Sequence, residues 1–166
     1  MASRRVLIAY YSHTYHTRKV ADHLAGLLEA DQHRIVPEQD FHWPLGIFRA
    51  GKLASRGETQ SLVDDFIDPG AYDLVIAGSP LWALRVSPPT RSWLEEHAAR
   101  LPKLAFYITH GGIGGPRAFQ DMADAAGQKP VSTVQISHHD ESKGRMDEKL
   151  RAFVDELPIG QHAMVS

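Results

Sequence analysis

The sequence has no cysteine. That absence removes disulfides, Cys-ligated zinc, iron–sulfur clusters and thiol catalysis together, so any redox chemistry belongs to a cofactor held by other ligands. A dominant charge is missing too: 18 Lys and Arg stand against 20 Asp and Glu, a net charge of −2. Such a balance implies no nucleic-acid or anionic-membrane surface. No segment approaches the roughly 20 apolar residues of a membrane helix. Ser3-Arg4-Arg5 precedes only six apolar or aromatic residues before Ser12, so no signal peptide is expected and a cytoplasmic location is. Ten histidines are present, with His13 and His16 three apart and His138-His139-Asp140 closing a strand. They lack HExxH and facial-triad spacing, and no metal site is expected. Ser79 has no G-x-S-x-G elbow, which argues against a hydrolase.

What the chain does have is regular alternation. Its 166 residues suit one domain with a real core. Arg4–Tyr10 is an unbroken Val/Ile/Leu-rich run, the pattern of a strand buried on both faces. Val20, Ala21, Leu24, Leu27 and Leu28 then recur at helical spacing, predicting a helix from about His16 to Ala30. A short strand is expected near His33–Pro37, a helix around Leu45–Ser55 and a helical turn over Ser61–Ile67. Asp68-Pro69-Gly70 is a turn signal. Tyr72–Gly78 reads as the next strand, followed by a helix opened by Pro88-Pro89. A strand at Leu104–Ile108, a helix from Pro116 to Gly127, a strand at Pro130–Ile136 and a helix at Met146–Leu157 complete the order. Strands alternating with helices imply a parallel sheet covered on both faces. Ligands in such sheets bind beyond the carboxyl ends of the strands.

Three loops at those ends carry distinctive chemistry. Ser12, Thr14 and Thr17 place hydroxyls where a helix begins, and leading helix N–H groups favour anions. The plainer reading is a set of N-caps. Ser79–Ser87 carries Trp82, either a flat ligand plate or a core residue. Thr109–Gly115 has four glycines in its last five positions, which either let a planar ligand approach the backbone or form a simple turn. Phosphate cradle, aromatic plate and backbone edge-reader together suit a phosphorylated planar ring such as FMN.

The stretch Tyr10-Tyr11-Ser12-His13-Thr14-Tyr15-His16-Thr17-Arg18-Lys19-Val20-Ala21 resembles the opening signature of the flavodoxin-like family. Tyr72–Ser79, Pro80-Leu81-Trp82, Pro88-Pro89-Thr90 and Thr109–Gly115 resemble its later motifs in order, and the similarity covers roughly Arg4–Gly127. The resemblance implies a three-layer α-β-α sandwich with a five-stranded parallel sheet of order 2-1-3-4-5. It implies FMN, with Ser12, His13, Thr14, Tyr15, His16 and Thr17 around the phosphate. Ser79, Pro80, Leu81, Trp82 and Ala83 would flank the ring, and Thr109, His110, Gly111, Gly112 and Gly115 its far edge. His110 is the candidate proton donor to reduced flavin or a quinone.

The implied activity is electron transfer or NAD(P)H-to-quinone-type reduction, with a small molecule or a protein as redox partner. A homodimer joined through the aromatic 41–48 segment is a further expectation. One position departs from the pattern: Tyr15 stands where the family usually has glycine. The rival reading is therefore a flavodoxin-fold protein that has lost FMN and acts as a binding module.

Overall fold

The computed structural model describes residues 4–39, 45–64 and 66–159. Its elements are β1 (Val6–Tyr10), α1 (Tyr15–Leu28), β2 (Asp31–Arg34), α2 (Leu45–Ser55), β3 (Leu74–Trp82) and β4 (Arg85–Val86). They continue with α3 (Pro88–His97), β5 (Lys103–His110), α4 (Arg117–Ala126), β6 (Thr133–Ser137), α5 (His138–Ser142) and α6 (Met146–Asp155). Strands β2-β1-β3-β5-β6 lie side by side and all pair in parallel. With β4 set aside, this is the expected 2-1-3-4-5 order.

The alternation of side chains across β1 divides the interior in two. Val6, Ile8 and Tyr10 join Val20, Ala21 and Leu24 of α1 and Leu150, Phe153 and Val154 of α6. Leu7, Ala9 and Tyr11 join Trp93 and Leu94 of α3 and Ala118 and Met122 of α4 on the other face. All five residues of β1 are buried, as its unbroken apolar run requires. Two helical layers therefore clamp one central sheet.

Several boundaries differ from expectation for identifiable reasons. β2 is the polar segment Asp31–Arg34 rather than His33–Pro37. It is an edge strand with three of its four residues exposed, so apolar content is a poor guide to it. Among the described residues of Ser61–Ile67 no helical turn forms. That segment instead runs antiparallel to residues 36–38, with Pro37 bridging Leu62 and the Val63 amide donating to the Val36 carbonyl at 2.9 Å.

His138-His139-Asp140 opens a short helix rather than closing a strand, because Ser137 and Asp140 form a reciprocal capping box. The largest difference lies after β3, which runs on to Trp82 and folds back through β4 as a hairpin. The sheet therefore has a sixth, antiparallel strand. Phe41 and Trp43 of the expected dimer surface lie outside the described residues, as do the side chains of Leu45, Ile47 and Phe48.

Candidate functional site

The carboxyl ends of β1, β3 and β5 sit next to one another in the middle of the sheet, and the three loops meet there. Thr14 is the N-cap of α1, extended at φ −105° and ψ 167°, and its hydroxyl makes no cap hydrogen bond. The leading amides of α1 have no intrahelical acceptor by helix geometry, so this end is open to an anion. The buried Ser12 braces the loop: its hydroxyl accepts from the Arg18 amide at 3.3 Å and donates to the Thr14 carbonyl.

Tyr15 occupies the first turn of the helix with its side chain 61% exposed. The Arg18 guanidinium lies over its ring at 5.9 Å. Its φ is not positive, so this backbone does not require glycine at Tyr15. The exposed ring does not pack into the loop, and the backbone at Tyr15 is ordinary helix.

Thr17 points inward instead. Its hydroxyl bonds that of Thr109 at 2.7 Å, both buried, and its carbonyl accepts from the Tyr107 hydroxyl at 3.0 Å. The Tyr107 ring lies where a Cβ on Gly78 would overlap it. Gly78 of β3, Tyr107 of β5 and Thr17 of α1 therefore rivet loop one to loop three. Thr17 and Thr109 serve each other rather than standing free for a ligand.

In loop two Ser79 is fully buried. Its hydroxyl donates to Ser87 at 2.9 Å, the Ser87 hydroxyl donates to Thr90 at 3.0 Å, and the Thr90 hydroxyl donates to the Gly78 carbonyl at 3.2 Å. This relay seats the Pro88-Pro89 start of α3 and leaves the Ser79 hydroxyl buried and engaged. Pro80, Leu81 and Trp82 are partly buried, and Trp82 stands edge-on to Tyr11 at 5.5 Å and to His13 at 6.1 Å. The His13 ring nitrogen lies 3.5 Å from the Tyr11 hydroxyl.

The turn after Trp82 is Ala83-Leu84, with φ of 48° and 61°. Left-handed backbone costs a residue with a Cβ roughly 1–2 kcal/mol. The hairpin is nonetheless held, because Arg85 grips Asp121 of α4 through two bonds: Nε to Oδ2 at 2.6 Å and Nη2 to Oδ1 at 2.7 Å. Arg91 of α3 lies 3.6 Å from the same carboxylate. The bond to Asp121 is the largest influence on Arg85 and raises its pKa further.

Loop three is open where openness matters. A Cβ on Gly112 or Gly115 would meet nothing within 4 Å, and one on Gly111 would only graze His138 at 3.9 Å. Gly114 alone is packed, since a Cβ there would overlap Gln135. None of the four has positive φ, so three of them leave room rather than make a turn. His110 ends β5 with its Nδ1 buried and lacking a hydrogen-bond partner. Burial, then Lys149, pulls its pKa down, with His138 adding and Asp140 opposing.

His16 belongs to a different grouping from the one expected. Its Nδ1 lies 3.0 and 3.1 Å from the two carboxylate oxygens of Glu141 on α5. Its ring stacks on His138 at 3.7 Å, and Lys19 approaches Glu141 at 3.6 Å. Burial and then His16 lower the pKa of His138, against the pull of Glu141. Among the described residues no three His, Asp or Glu side chains converge as a metal ion requires.

Reading the sequence also passed over Arg85, Asp121, Tyr107 and Glu141. Only Asp121 leaves a local signal: it is a carboxylate on the buried stripe of α4, beside Ala118, Met122 and Ala125.

No protein-family model and no curated protein matches this sequence. Solved structures do. A flavoprotein of Lactobacillus acidophilus in complex with FMN aligns over 84% of this chain and 97% of its own, at 21% identity and a TM-score of 0.69. A candidate flavoprotein of Bacteroides eggerthii aligns over 95% and 99%, at 20% identity and a TM-score of 0.76. Megasphaera elsdenii flavodoxin, in its two-electron reduced form, aligns over 88% and 98%, at 13% identity and a TM-score of 0.53. The sheet order and these alignments assign the chain the flavodoxin-like fold.

Proposed function

We propose that the chain binds FMN across the three loops and works as a flavin-based redox protein. One observation carries the reading. The uncapped start of α1, the half-buried Trp82 and the empty space over Gly111, Gly112 and Gly115 follow three adjacent strands. Anion end, aromatic plate and open backbone edge make a site for a phosphorylated planar ring. The Thr14 hydroxyl and the leading amides of α1 take the phosphate, on a loop braced by Ser12. Pro80, Leu81, Trp82 and Ala83 border the ring, with His13 beside Trp82, and Gly111, Gly112 and Gly115 offer backbone groups to its edge.

FMN, when bound, supplies the capacity to accept and release electrons singly or in pairs. The FMN complex of the Lactobacillus structure supports this reading. His110, with one ring nitrogen buried and its pKa lowered, is the group we place nearest proton exchange. A net charge of −2 gives little long-range steering toward a basic protein partner. That favours reduction of a small quinone-like acceptor by a nicotinamide over electron shuttling between proteins.

Titration of the purified protein with FMN and with riboflavin, followed by flavin fluorescence, tests the proposal. Quenching by both, with FMN bound at least about tenfold more tightly through its phosphate, is the expected result. No quenching by either flavin overturns it.

A further inference from the structure

The hairpin that carries Trp82 does not hold itself. Beyond Pro80, which still pairs with Thr109, β3 leaves its parallel neighbours, and Leu81 and Trp82 pair only with Val86 and Arg85. Two ladder pairs are too few for a stable hairpin in water. Its turn adds to the problem, since Ala83 and Leu84 both take a conformation suited to glycine. Two contacts compensate. Val86 is fully buried in the core under α3 and α4. Arg85 forks onto Asp121, which is only 5% exposed. Planar, bidentate guanidinium–carboxylate pairs fix direction as well as distance. Asp121 lies in α4, the helix that loop three leads into. A third strut comes from α2, where the Ser55 carbonyl accepts from Arg85 Nη1 at 3.4 Å.

We propose that Arg85 and Asp121 are a positioning pair that sets the Trp82 plate at a fixed spacing from the Gly111–Gly115 edge, and so governs how tightly and in what orientation a planar ring is held. The proposal rests on the flavin reading above. Neither residue touches the ligand. Arg85 acts through the hairpin and Asp121 through α4. Arg91 brings a second guanidinium within 3.6 Å of the same carboxylate, so Asp121 keeps a cationic neighbour when Arg85 is altered.

The test uses Asp121→Asn, Arg85→Lys and a control, Met122→Ala, which empties a fully buried site on the same helix and keeps both members of the ion pair. Asp121→Asn lowers affinity for FMN and for riboflavin about 10–100-fold each. Both fall alike because the phosphate end is untouched. Flavin saturated onto this variant keeps residual fluorescence, because Trp82 no longer meets the ring squarely. Arg85→Lys retains the charge but loses the fork, and falls between wild type and Asp121→Asn. Met122→Ala lowers thermal stability but leaves saturated fluorescence at the wild-type level.

Saturated fluorescence and affinities of folded Arg85→Lys and Asp121→Asn that match wild type overturn the proposal. So does a Met122→Ala protein that copies the clamp variants. If wild type itself binds no flavin, the proposed function fails separately, and amide exchange in the ligand-free protein decides about the clamp. Faster exchange at 82–86 in Arg85→Lys, with β1 and β5 unchanged, upholds it; no change there overturns it.

Discussion

Tyr15 offers a sharp single-residue test. Its outward ring and ordinary helical backbone predict that Tyr15→Gly leaves FMN affinity within about threefold of wild type, since no contact with the site is lost. The cost falls on α1, where glycine removes up to about 1 kcal/mol of helix stability. A flavin titration beside a thermal melt separates the two effects. Gly78 lies at the other extreme. Gly78→Ala drives a methyl into the Tyr107 ring and costs about 3 kcal/mol or more. Tyr107→Phe forfeits only the bond to the Thr17 carbonyl, about 1–2 kcal/mol. Denaturant unfolding ranks the pair.

The placement of Ser12 and Thr14 at the helix start was readable from the chain, because the contacts that set it lie within six residues. His16 and Thr17 were not, because the partners that claim them lie 125 and 92 residues away. Neither Ser79's concealment nor Tyr107's anchoring leaves a local mark in the sequence.

Individual elements show the same division between local and distant causes. The interior helices and strands announced themselves through apolar period and length. The Leu45–Ser55 helix falls where expected, and Asp68-Pro69-Gly70 closes a short turn capped by the Asp68 carboxylate. The β3–β4 hairpin was hidden because its turn uses Ala83-Leu84 instead of the Asn-Gly or Asp-Gly pairs that signal such turns. Replacing Ala83-Leu84 by Asn-Gly therefore stabilises the fold by about 1 kcal/mol or more, visible as a higher unfolding midpoint.

The short α5 did carry a local signal, Ser137-His138-His139-Asp140, the spacing of a capping box. Burial pushes the Asp140 pKa up. The Ser137 amide, Lys149 and the Ser137 hydroxyl outweigh it and hold that carboxyl below the usual carboxylate range. Asp140→Ala is expected to cost about 1–2 kcal/mol through loss of the cap. The broken cap frees α5, so the His16–Glu141 contact loosens with it.

Across the whole molecule, the parallel sheet was legible because βα alternation leaves few topologies, and its strand order came with the flavodoxin-like resemblance. The site was legible only as three loops, since their spacing depends on the rivet and the clamp. Acid sensitivity also belongs to this scale. His110 and His138 both titrate lower in the folded chain than the ordinary 6.5. Between their folded values and 6.5 the unfolded chain binds more protons, so stability falls as pH drops through that window. Melting at pH 5 and pH 7.5 measures the loss, and His138→Gln shrinks it. FMN at a hundredfold excess over its Kd adds about 2.7 kcal/mol to folding, a rise in Tm of roughly 5–10 °C for a chain of this size.

The rivet of Gly78, Tyr107 and Thr17 has a consequence in time. It freezes loop one against loop three before any ligand arrives, while the hairpin rests on buried Val86, the Arg85–Asp121 fork and the Ser55 carbonyl. An arriving phosphate meets a finished surface, so association is quick and salt-dependent, and variants at Thr14 slow it. On the proposed function, clamp variants are expected to shorten the residence of the flavin and leave its arrival untouched. Stopped-flow traces divide the two halves of the site by rate where equilibrium binding would merge them.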